Sequence, residues 1–545
     1  MNREESLQRI RNRKSAWDIV VIGGGATGVA IALDAASRGL EVLLVERSDF
    51  GKGTSSRSTK LIHGGVRYLE QGNLTLVRDA LLERTRLRNN APLLVHDLPF
   101  FIPCASRWQR MYFWAGLKLY DFLAGRSGFG AARVVSATQA AEQVPTIRAA
   151  VHRGGVIYHD GQFDDCRLLI HMARTAAAHG GCLVNYVAAT GFEKDAQGQI
   201  CGVKLVDSET AEAFSTPARG VINAGGPFSD EILQLDDPQS EPKLAASQGV
   251  HVVLPREFFP GQTALIVPRT SDGRVLFMIP WLNHVVVGTT DTPLPAAVVE
   301  PLPQRQEIDF LLQTAAEYLT RAPRPEDVTS VFTGVRPLVK NDRSARTASL
   351  SRDHGISVSD SGLVTIRGGK WTTVRKMAED CVNRAIESAG LQAQPCRTQS
   401  LPLYGGDVAD IAPAAPQPSR SGLDAAQPHA AGQFASPDEA AQTALVQQEP
   451  RLAEPLPGLA EMRAVDVVWA ARYEMARTVE DVLARRSRWL FLDVRRSLAV
   501  APAVAALLAE ELGQDAAWQQ QQVAGFQAIA QHYDITHILG HAQAS

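Results

Sequence analysis

The residues best spaced for chemistry lie near the N-terminus, in Asp18-Ile-Val-Val-Ile-Gly-Gly-Gly-Ala-Thr-Gly-Val-Ala-Ile-Ala-Leu-Asp-Ala-Ala-Ser-Arg-Gly-Leu-Glu-Val-Leu-Leu-Val-Glu46. Gly23 permits a tight turn, Gly25 lets backbone approach a pyrophosphate, and Gly28 lets a following helix pack close to the preceding strand. The N–H groups of Ala26 and Thr27 then open that helix, where unsatisfied donors and the helix dipole favour an anion. Glu46 follows Gly28 by eighteen positions and is placed to accept hydrogen bonds from ribose hydroxyls. This is dinucleotide-binding chemistry. The alternative is a turn used only for packing, and the motif alone does not separate FAD from NAD. Two further stretches suit anionic ligands. Thr54-Ser-Ser-Arg-Ser-Thr59 crowds hydroxyl donors just after the ribose acid, although such a run also suits a plain surface loop. Gly368-Gly-Lys-Trp-Thr-Thr373 joins a strand to a second helix N-terminus.

These residues need particular elements to position them. Ile19–Ile22 reads as a buried parallel strand, Val29–Ser37 as a helix ended by Arg38-Gly39, and Glu41–Val45 as a second strand. Further on, Leu74–Asn90 is helical in pattern, Val151–Asp160 a strand, Asp164–Gly180 a helix and Leu183–Ala189 a strand. A small meander follows, and then Gly220-Val-Ile-Asn-Ala-Gly-Gly-Pro227 brings the chain back to the nucleotide unit. Between Gln248 and Asp291 short apolar strands alternate with turns, the pattern of an antiparallel sheet. Gln304–Leu319 reads as a helix, Val328–Leu338 and Leu363–Ile366 as strands, and the residues after Gly369 as a helix to about Ala389. An Arg-rich stretch holds Arg343, Arg346 and Arg352, 405–435 has the Ala/Pro/Gln/Gly bias of a linker or disordered insertion, and 436–545 is helical in composition.

Composition narrows the class. A chain of 545 residues is too long for one core, so two to four domains are expected. Its net charge of −3 gives no reason to expect nucleic acid. Six scattered cysteines form no C-x-x-C pair, which argues against a zinc site and suits a reducing compartment. The charged start lacks an apolar core, so no secretory signal is expected, and no uncharged run is long enough to span a membrane. One helix differs in kind. Over 106–123, Trp108, Met111, Tyr112, Ala115, Leu119 and Phe122 share a face, with Arg107, Arg110 and Lys118 away from it. That pattern suits a helix lying in a membrane interface, or else a core helix.

Taken together, the motifs resemble the FAD-dependent, quinone-linked glycerol-3-phosphate dehydrogenase family of the D-amino-acid-oxidase-like flavoproteins. The resemblance rests on Ile22–Gly28, Thr54–Glu70, Asn223–Pro227, Val250–Pro255, Ile279–Trp281, Gly288–Asp291, Gly334–Leu338, Ser351–Asp353, Gly368–Thr373 and Thr478–Arg488. It implies an α/β chain with a discontinuous Rossmann-like FAD-binding domain, an antiparallel-sheet substrate domain and a C-terminal helical domain. The first would comprise 16–90, 151–235 and 345–400, and the second, membrane-facing, 91–150 and 240–344.

The cofactor site implied for FAD comprises Gly23, Gly25, Ala26, Thr27, Gly28, Glu46, Thr54, Ser55, Ser58, Lys60, Leu61, His63, Gly64, Gly65, Val187, Ala224, Gly225, Gly369, Lys370, Trp371 and Thr372. The catalytic set is His251, Arg336 and Lys370. His251 would be the general base, although a lone His on an apolar strand is more often a core residue. Arg67, Tyr68, Thr289 and Arg352 would bind substrate, and no metal is implied. The expected reaction takes sn-glycerol 3-phosphate to dihydroxyacetone phosphate by hydride transfer to FAD, with electrons passing to a membrane quinone. The protein would sit peripherally, through 106–123, on the cytoplasmic face of a bacterial plasma membrane. Lack of an EF-hand-like loop after the helical domain suits a bacterial form, and a homodimer is left open. The rival readings are a glycerol-3-phosphate oxidase using O₂ and an amine or amino-acid oxidase of the same fold.

Overall fold

The computed structural model describes residues 1–66, 73–340, 354–404 and 438–541. Arg67, Tyr68, Arg343, Arg346, Arg352 and the 405–435 stretch therefore lie outside the described residues.

The first sheet holds the glycine motif. Its strands run in the order Gly355–Val358, Leu363–Arg367, Ala213–Asn223, Trp17–Ile22, Val42–Val45 and Cys182–Val184. All neighbours along this path pair in parallel except the outermost, Gly355–Val358. The strands are Val-, Ile- and Leu-rich because both faces are covered. Helices Ala26–Ser37, Asp165–Ala178 and Val374–Ala389 pack on one face around Ile19, Val21, Val42 and Leu44. On the other face Val20, Ile22, Leu43 and Val45 meet the N-terminal helix Arg3–Arg11, through Leu7 and Ile10, and the meander Val187–Lys194/Ile200–Asp207. The chain leaves Trp17–Ile22 to one side and returns to the other, so the order reverses between this strand and Ala213–Asn223. Ligands of open α/β sheets bind at such a point, beyond the carboxyl ends of the strands.

The second sheet is long and mostly antiparallel. Its central pairing joins Leu244–Pro255 to Ser330–Val339 on one side and His284–Gly288 on the other. Leu276–Trp281 and Ala264–Val267 extend it, and a parallel joint leads on to Val95–Pro103.

Two boundaries differ from the sequence reading. Gly155–Phe163, which that reading groups with the nucleotide-binding unit, lies in the second sheet, antiparallel to Val95–Pro103. Both of its faces are buried, so its apolar run looks the same as that of a parallel strand; the crossing to the first sheet comes only with helix Asp165–Ala178. The single strand expected over Leu183–Ala189 is two, because Tyr186 takes a positive φ of 58° and turns the chain.

Residues 438–541 form a helical unit with a small β-ribbon, Pro455–Leu456 against Leu459–Arg463. Its core, with Val465, Val468, Leu483, Phe491, Val500 and Val504, is continuous with Val253, Trp281, Val286 and Phe332 of the second sheet.

Gly28 decides how closely the first helix can lie on the first strand. A Cβ there would stand 1.8 Å from the Gly23 carbonyl oxygen, a backbone atom that cannot swing aside. Gly28→Ala is expected to destabilise the protein by about 3 kcal/mol in urea unfolding. Gly116→Ala, in a helix with open space at its Cβ, should be neutral or gain up to about 1 kcal/mol.

Candidate functional site

A cleft of about 520 Å³ opens at the reversal point, between the ends of Trp17–Ile22 and Ala213–Asn223. Five separate stretches wall it: 22–27, 45–55, 187–190, 224–235 and 368–377. The glycine turn forms the floor. Gly23 has a φ of +114°, and a Cβ on it would meet the Ala224 carbonyl oxygen at 2.6 Å, so backbone passes backbone with nothing between. Helix Ala26–Ser37 starts in the cleft without a side-chain cap from Gly25, so its N-terminal end faces the cleft. The Ala26 N–H donates to Ser55 Oγ at 2.8 Å, so the hydroxyl-rich loop meets the glycine turn directly.

At one end of the cleft, Glu46 accepts from the Gly24 N–H at 2.6 Å and from the Ser48 N–H at 2.8 Å. Burial outweighs these two donors and raises its carboxyl above the ordinary value. Each oxygen keeps a second lone pair, which a ribose hydroxyl can use. Val187 closes this end, its N–H donating to the Glu46 carbonyl at 2.8 Å. Arg47, absent from the sequence-based set, also lines the cleft, stacked 4.2 Å over Phe228 and paired with Glu231 at 3.1 Å. Its place straight after the ribose acid is the one signal the sequence offers for it.

At the other end Gly369, Lys370 and Trp371 reach the cleft ahead of helix Val374–Ala389. The Trp371 indole N–H donates to the Ser55 carbonyl at 3.0 Å, and the Thr372 hydroxyl to the His63 carbonyl at 3.1 Å. These bonds tie the two ends of a discontinuous site together.

Of the expected cofactor residues, Gly23, Gly25, Ala26, Thr27, Glu46, Thr54, Ser55, Val187, Ala224, Gly225, Gly369, Lys370 and Trp371 line the cleft. Gly28, Ser58, Lys60, Leu61, His63, Gly64, Gly65 and Thr372 are not among its lining. Ser58 and Lys60 both donate to the buried Asp165 carboxylate, at 2.7 Å each. The Gly64 N–H donates to Asp160, which also takes Arg84 and the Tyr120 hydroxyl.

A second cluster lies on one face of the antiparallel sheet. Register puts His251, Phe332 and Gly288 in one row, Gly249 opposite Gly334 in the next, and Ser247 opposite Arg336 beyond. The glycine row is bare, and the Arg336 guanidinium folds back over it, so a Cβ on Gly249 would meet Nη2 at 2.3 Å and Thr289 Oγ1 at 2.6 Å. Arg336 donates to Asp291 at 3.1 Å, to Thr289 Oγ1 at 3.2 Å and to the Gln248 carbonyl at 3.3 Å. Asp291 stands in the sequence only as the end of a motif; here it orients the arginine and takes a bond from Ser247.

His251 is 2% exposed and stacked on Phe332 at 4.6 Å. Its Nε2 meets Thr59 Oγ1 at 2.9 Å, while Nδ1 has no partner among the described residues. Burial, with the nearby Arg336 and Lys60 charges, holds the imidazole well below its usual range, so it is neutral at pH 7. Neither His251 nor Arg336 lines the 520 Å³ cleft; it reaches their neighbour Pro337, and Thr54 donates to the Val335 carbonyl at 2.6 Å.

Comparison with known proteins decides the family. The sequence profile described as FAD dependent oxidoreductase matches residues 18–375, and that described as the C-terminal domain of alpha-glycerophosphate oxidase matches 396–522. A mitochondrial glycerol-3-phosphate dehydrogenase of Arabidopsis thaliana is 41% identical over an alignment covering 95% of this chain and 87% of that protein. The chain belongs to the FAD-dependent glycerol-3-phosphate dehydrogenase family. The human mitochondrial glycerol-3-phosphate dehydrogenase is 39% identical, covering 96% of this chain and 74% of its own. The glycerol-3-phosphate dehydrogenase of Bacillus halodurans, solved with FAD, matches with a TM-score of 0.74 and 27% identity over 97% of each chain.

For a glycerol-3-phosphate dehydrogenase the cleft has a fitting occupant. FAD needs a ribose acceptor, close backbone donors for two phosphates and a slot for its ring system. Glu46, the turn and helix opening at 23–27, and the 368–371 junction line one cleft and are the residues that would hold it there. Among the described residues of the dehydrogenase three histidines, His152, His171 and His251, are buried and held below their usual range by that burial. Burial and then Arg167 hold His171 at about 3, and His251 is likewise depressed. Below about pH 6.5 the unfolded chain takes up protons that the folded protein refuses, so their contribution to stability is whole above that pH. It is lost as pH falls toward about 3. Thermal unfolding should show this loss, and His171→Phe should flatten the curve; an unchanged slope would remove His171 from the account.

Proposed function

We propose that this chain oxidises sn-glycerol 3-phosphate to dihydroxyacetone phosphate and passes the electrons to a membrane quinone. The observation that carries the substrate assignment is the Arg336 guanidinium, fixed by Asp291 and Thr289 over the bare glycine row and two rows from a neutral, buried histidine. A phosphate monoester carries close to two negative charges and takes charge-assisted bonds from arginine. Thr289, whose Oγ1 accepts from Arg336 and donates to the Thr290 carbonyl at 3.2 Å, and Arg67, Tyr68 and Arg352 complete the proposed substrate set.

His251 is proposed as the base. With Thr59 engaging Nε2, the lone pair at Nδ1 is the position that would take the substrate's hydroxyl proton. A bound dianion would offset the charge of Arg336 and raise the basicity of His251, so proton transfer becomes favourable only when substrate is in place. FAD, when bound, supplies the acceptor for the carbinol hydrogen and two electrons. Lys370 and the N–H groups opening 371–374 lie at the ring end of the cleft, where they would stabilise added negative charge.

Support for membrane contact comes from helix Arg107–Ala124. Its expected apolar face is the exposed one: Trp108 is 86% and Phe122 80% exposed, with Met111, Tyr112 and Leu119 beside them. The opposite face, through Leu117, Tyr120 and Ala124, is packed into the protein. Arg107, Arg110 and Lys118 flank the exposed side, the arrangement of an interfacial helix. No helix among the described residues is long and apolar enough to cross a membrane. The reading is of a peripheral enzyme on the cytoplasmic face of a bacterial plasma membrane, its peripheral contact supported by this face.

Arg336→Ala should raise KM for the phosphate substrate by about 100-fold, since it removes a charge-assisted contact. Steady-state kinetics with glycerol 3-phosphate check this, and an unchanged KM would sink the assignment. Trp108→Ser with Phe122→Ser should abolish cosedimentation with phosphatidylglycerol vesicles while leaving flavin content intact. For the acceptor, substrate should bleach the flavin anaerobically and a soluble quinone should restore it; restoration by O₂ alone, with peroxide, would assign an oxidase.

A further inference from the structure

Residues 47–55 form a large part of the FAD cleft wall, yet they belong to no regular element beyond the short turn Thr54–Ser56. What holds this stretch in shape lies in the C-terminal helical unit. Asp49, fully buried, takes two bonds from Arg486, at 2.7 and 2.9 Å, and one from Arg485. Lys52 pairs with Glu480. Arg57 bonds Glu300 at 2.6 Å, and Glu300 accepts from the Tyr533 hydroxyl at 3.4 Å. Lys60 bonds Asp165 at 2.7 Å, and Asp165 is shared with Arg488. Four charged residues of 49–60 thus meet charges or rings contributed by 480–488 and Tyr533, directly or through one shared carboxylate.

The chemistry of these contacts is informative. Where the C-terminal unit meets the second sheet it does so through apolar packing, around Val253, Trp281, Val286 and Phe332, and through hydrogen bonds to uncharged groups such as those of Thr329 and Ser330 to the Leu492 and Leu490 carbonyls. Toward the flavin segment it presents ions. Buried ion pairs add little net stability over apolar packing of the same volume, but they fix position, because removing one partner strands a charge. The local shape of 480–488 suits such contacts. Asp481–Arg486 is a π-helical turn, and Asp481 also accepts from Tyr186, whose neighbour Val187 lines the cleft. Asp49 is ionised at neutral pH, since Arg486 and Arg485 overcome its burial and hold its carboxyl at about 2.

We propose that the C-terminal helical unit is a positioning device for the cofactor: Arg485, Arg486 and Glu480 hold segment 47–55 in the form that lines the FAD cleft. They are positioning residues, acting through Asp49 and Lys52. The role is separate from the choice of substrate or electron acceptor and stands if either of those fails.

The test uses Asp49→Asn, Arg486→Gln and Glu480→Gln, with Arg472→Gln as control. Arg472 pairs with Glu511 and Glu449 inside the same unit, away from residues 47–60. The FAD Kd is read from free-flavin fluorescence on dilution of the holoenzyme, beside the visible circular dichroism of the bound flavin. The first three variants should raise the Kd at least tenfold, change the dichroic band and shrink the Tm gain from excess FAD. Arg472→Gln should lower Tm without moving the Kd. Variants that lose Tm but keep wild-type FAD Kd and dichroism would show a merely structural role and overturn the proposal. Should Asp49→Asn not fold, Glu480→Gln carries the same test, because its side chain is less completely buried than that of Asp49 and its replacement is isosteric.

Discussion

The carbonyl of Gly23 occupies the space where a Gly28 side chain would begin, and the carbonyl of Ala224 occupies that of Gly23. Much of the nucleotide end of the cleft rests on this triple backbone approach. It lays the first helix against the first strand, so that the helix opens into the cleft and not beside it. It also brings the strand ending at Asn223 within hydrogen-bond reach, with the Ala224 N–H donating to the Ile22 carbonyl at 2.9 Å. A single methyl group at either glycine would part these pieces, and the donors meant for a pyrophosphate would no longer converge.

Charge is used in two ways around this centre. Inside the cleft, the partial charges of the glycine turn and two helix openings, which need no counter-ion, lie beside the side chains of Arg47, Lys52 and Lys370. Behind the wall, full charges are paired off carboxylate by carboxylate, with Asp49, Asp165 and Glu474 each meeting arginine or lysine. On the second sheet, Arg336 combines the two uses. Asp291 fixes its direction, and the guanidinium lies over the bare glycine beside it.

Local chemistry is legible in the sequence, and distant chemistry is not. The strand–turn–helix at 18–46, the strands Ala264–Val267 and His284–Gly288, and the exposed aromatic face of 107–124 all follow from periodicity and turn residues. The two readings of His251 are compatible: it is a packed core residue, stacked on Phe332, and it also keeps one nitrogen unengaged among the described residues. Ser58 and Lys60 enter the cofactor set through the family resemblance, and their bond to Asp165, more than a hundred positions on, follows from no local pattern. Nor does any spacing rule link Asp49 to Arg486. Strand Gly155–Phe163 falls in the other sheet for a similar reason, since only its pairing, not its composition, distinguishes the two.

Asp49 and Arg486 are 437 residues apart in sequence. At a translation rate of roughly 5 to 20 residues per second, about 20 to 90 s separate their emergence from the ribosome. The glycine turn is made first, but the stretch that follows it lacks its buried counter-charges until almost the whole chain has been synthesised. For that interval an aspartate destined for the interior must remain hydrated, and the N-terminal strands cannot close into a finished cleft. On the positioning role proposed for the C-terminal unit, cofactor loading would be a late event in the life of each new molecule, and a chain cut short before the last hundred residues would leave Asp49 without its arginines and Val253, Trp281, Val286 and Phe332 without their cover.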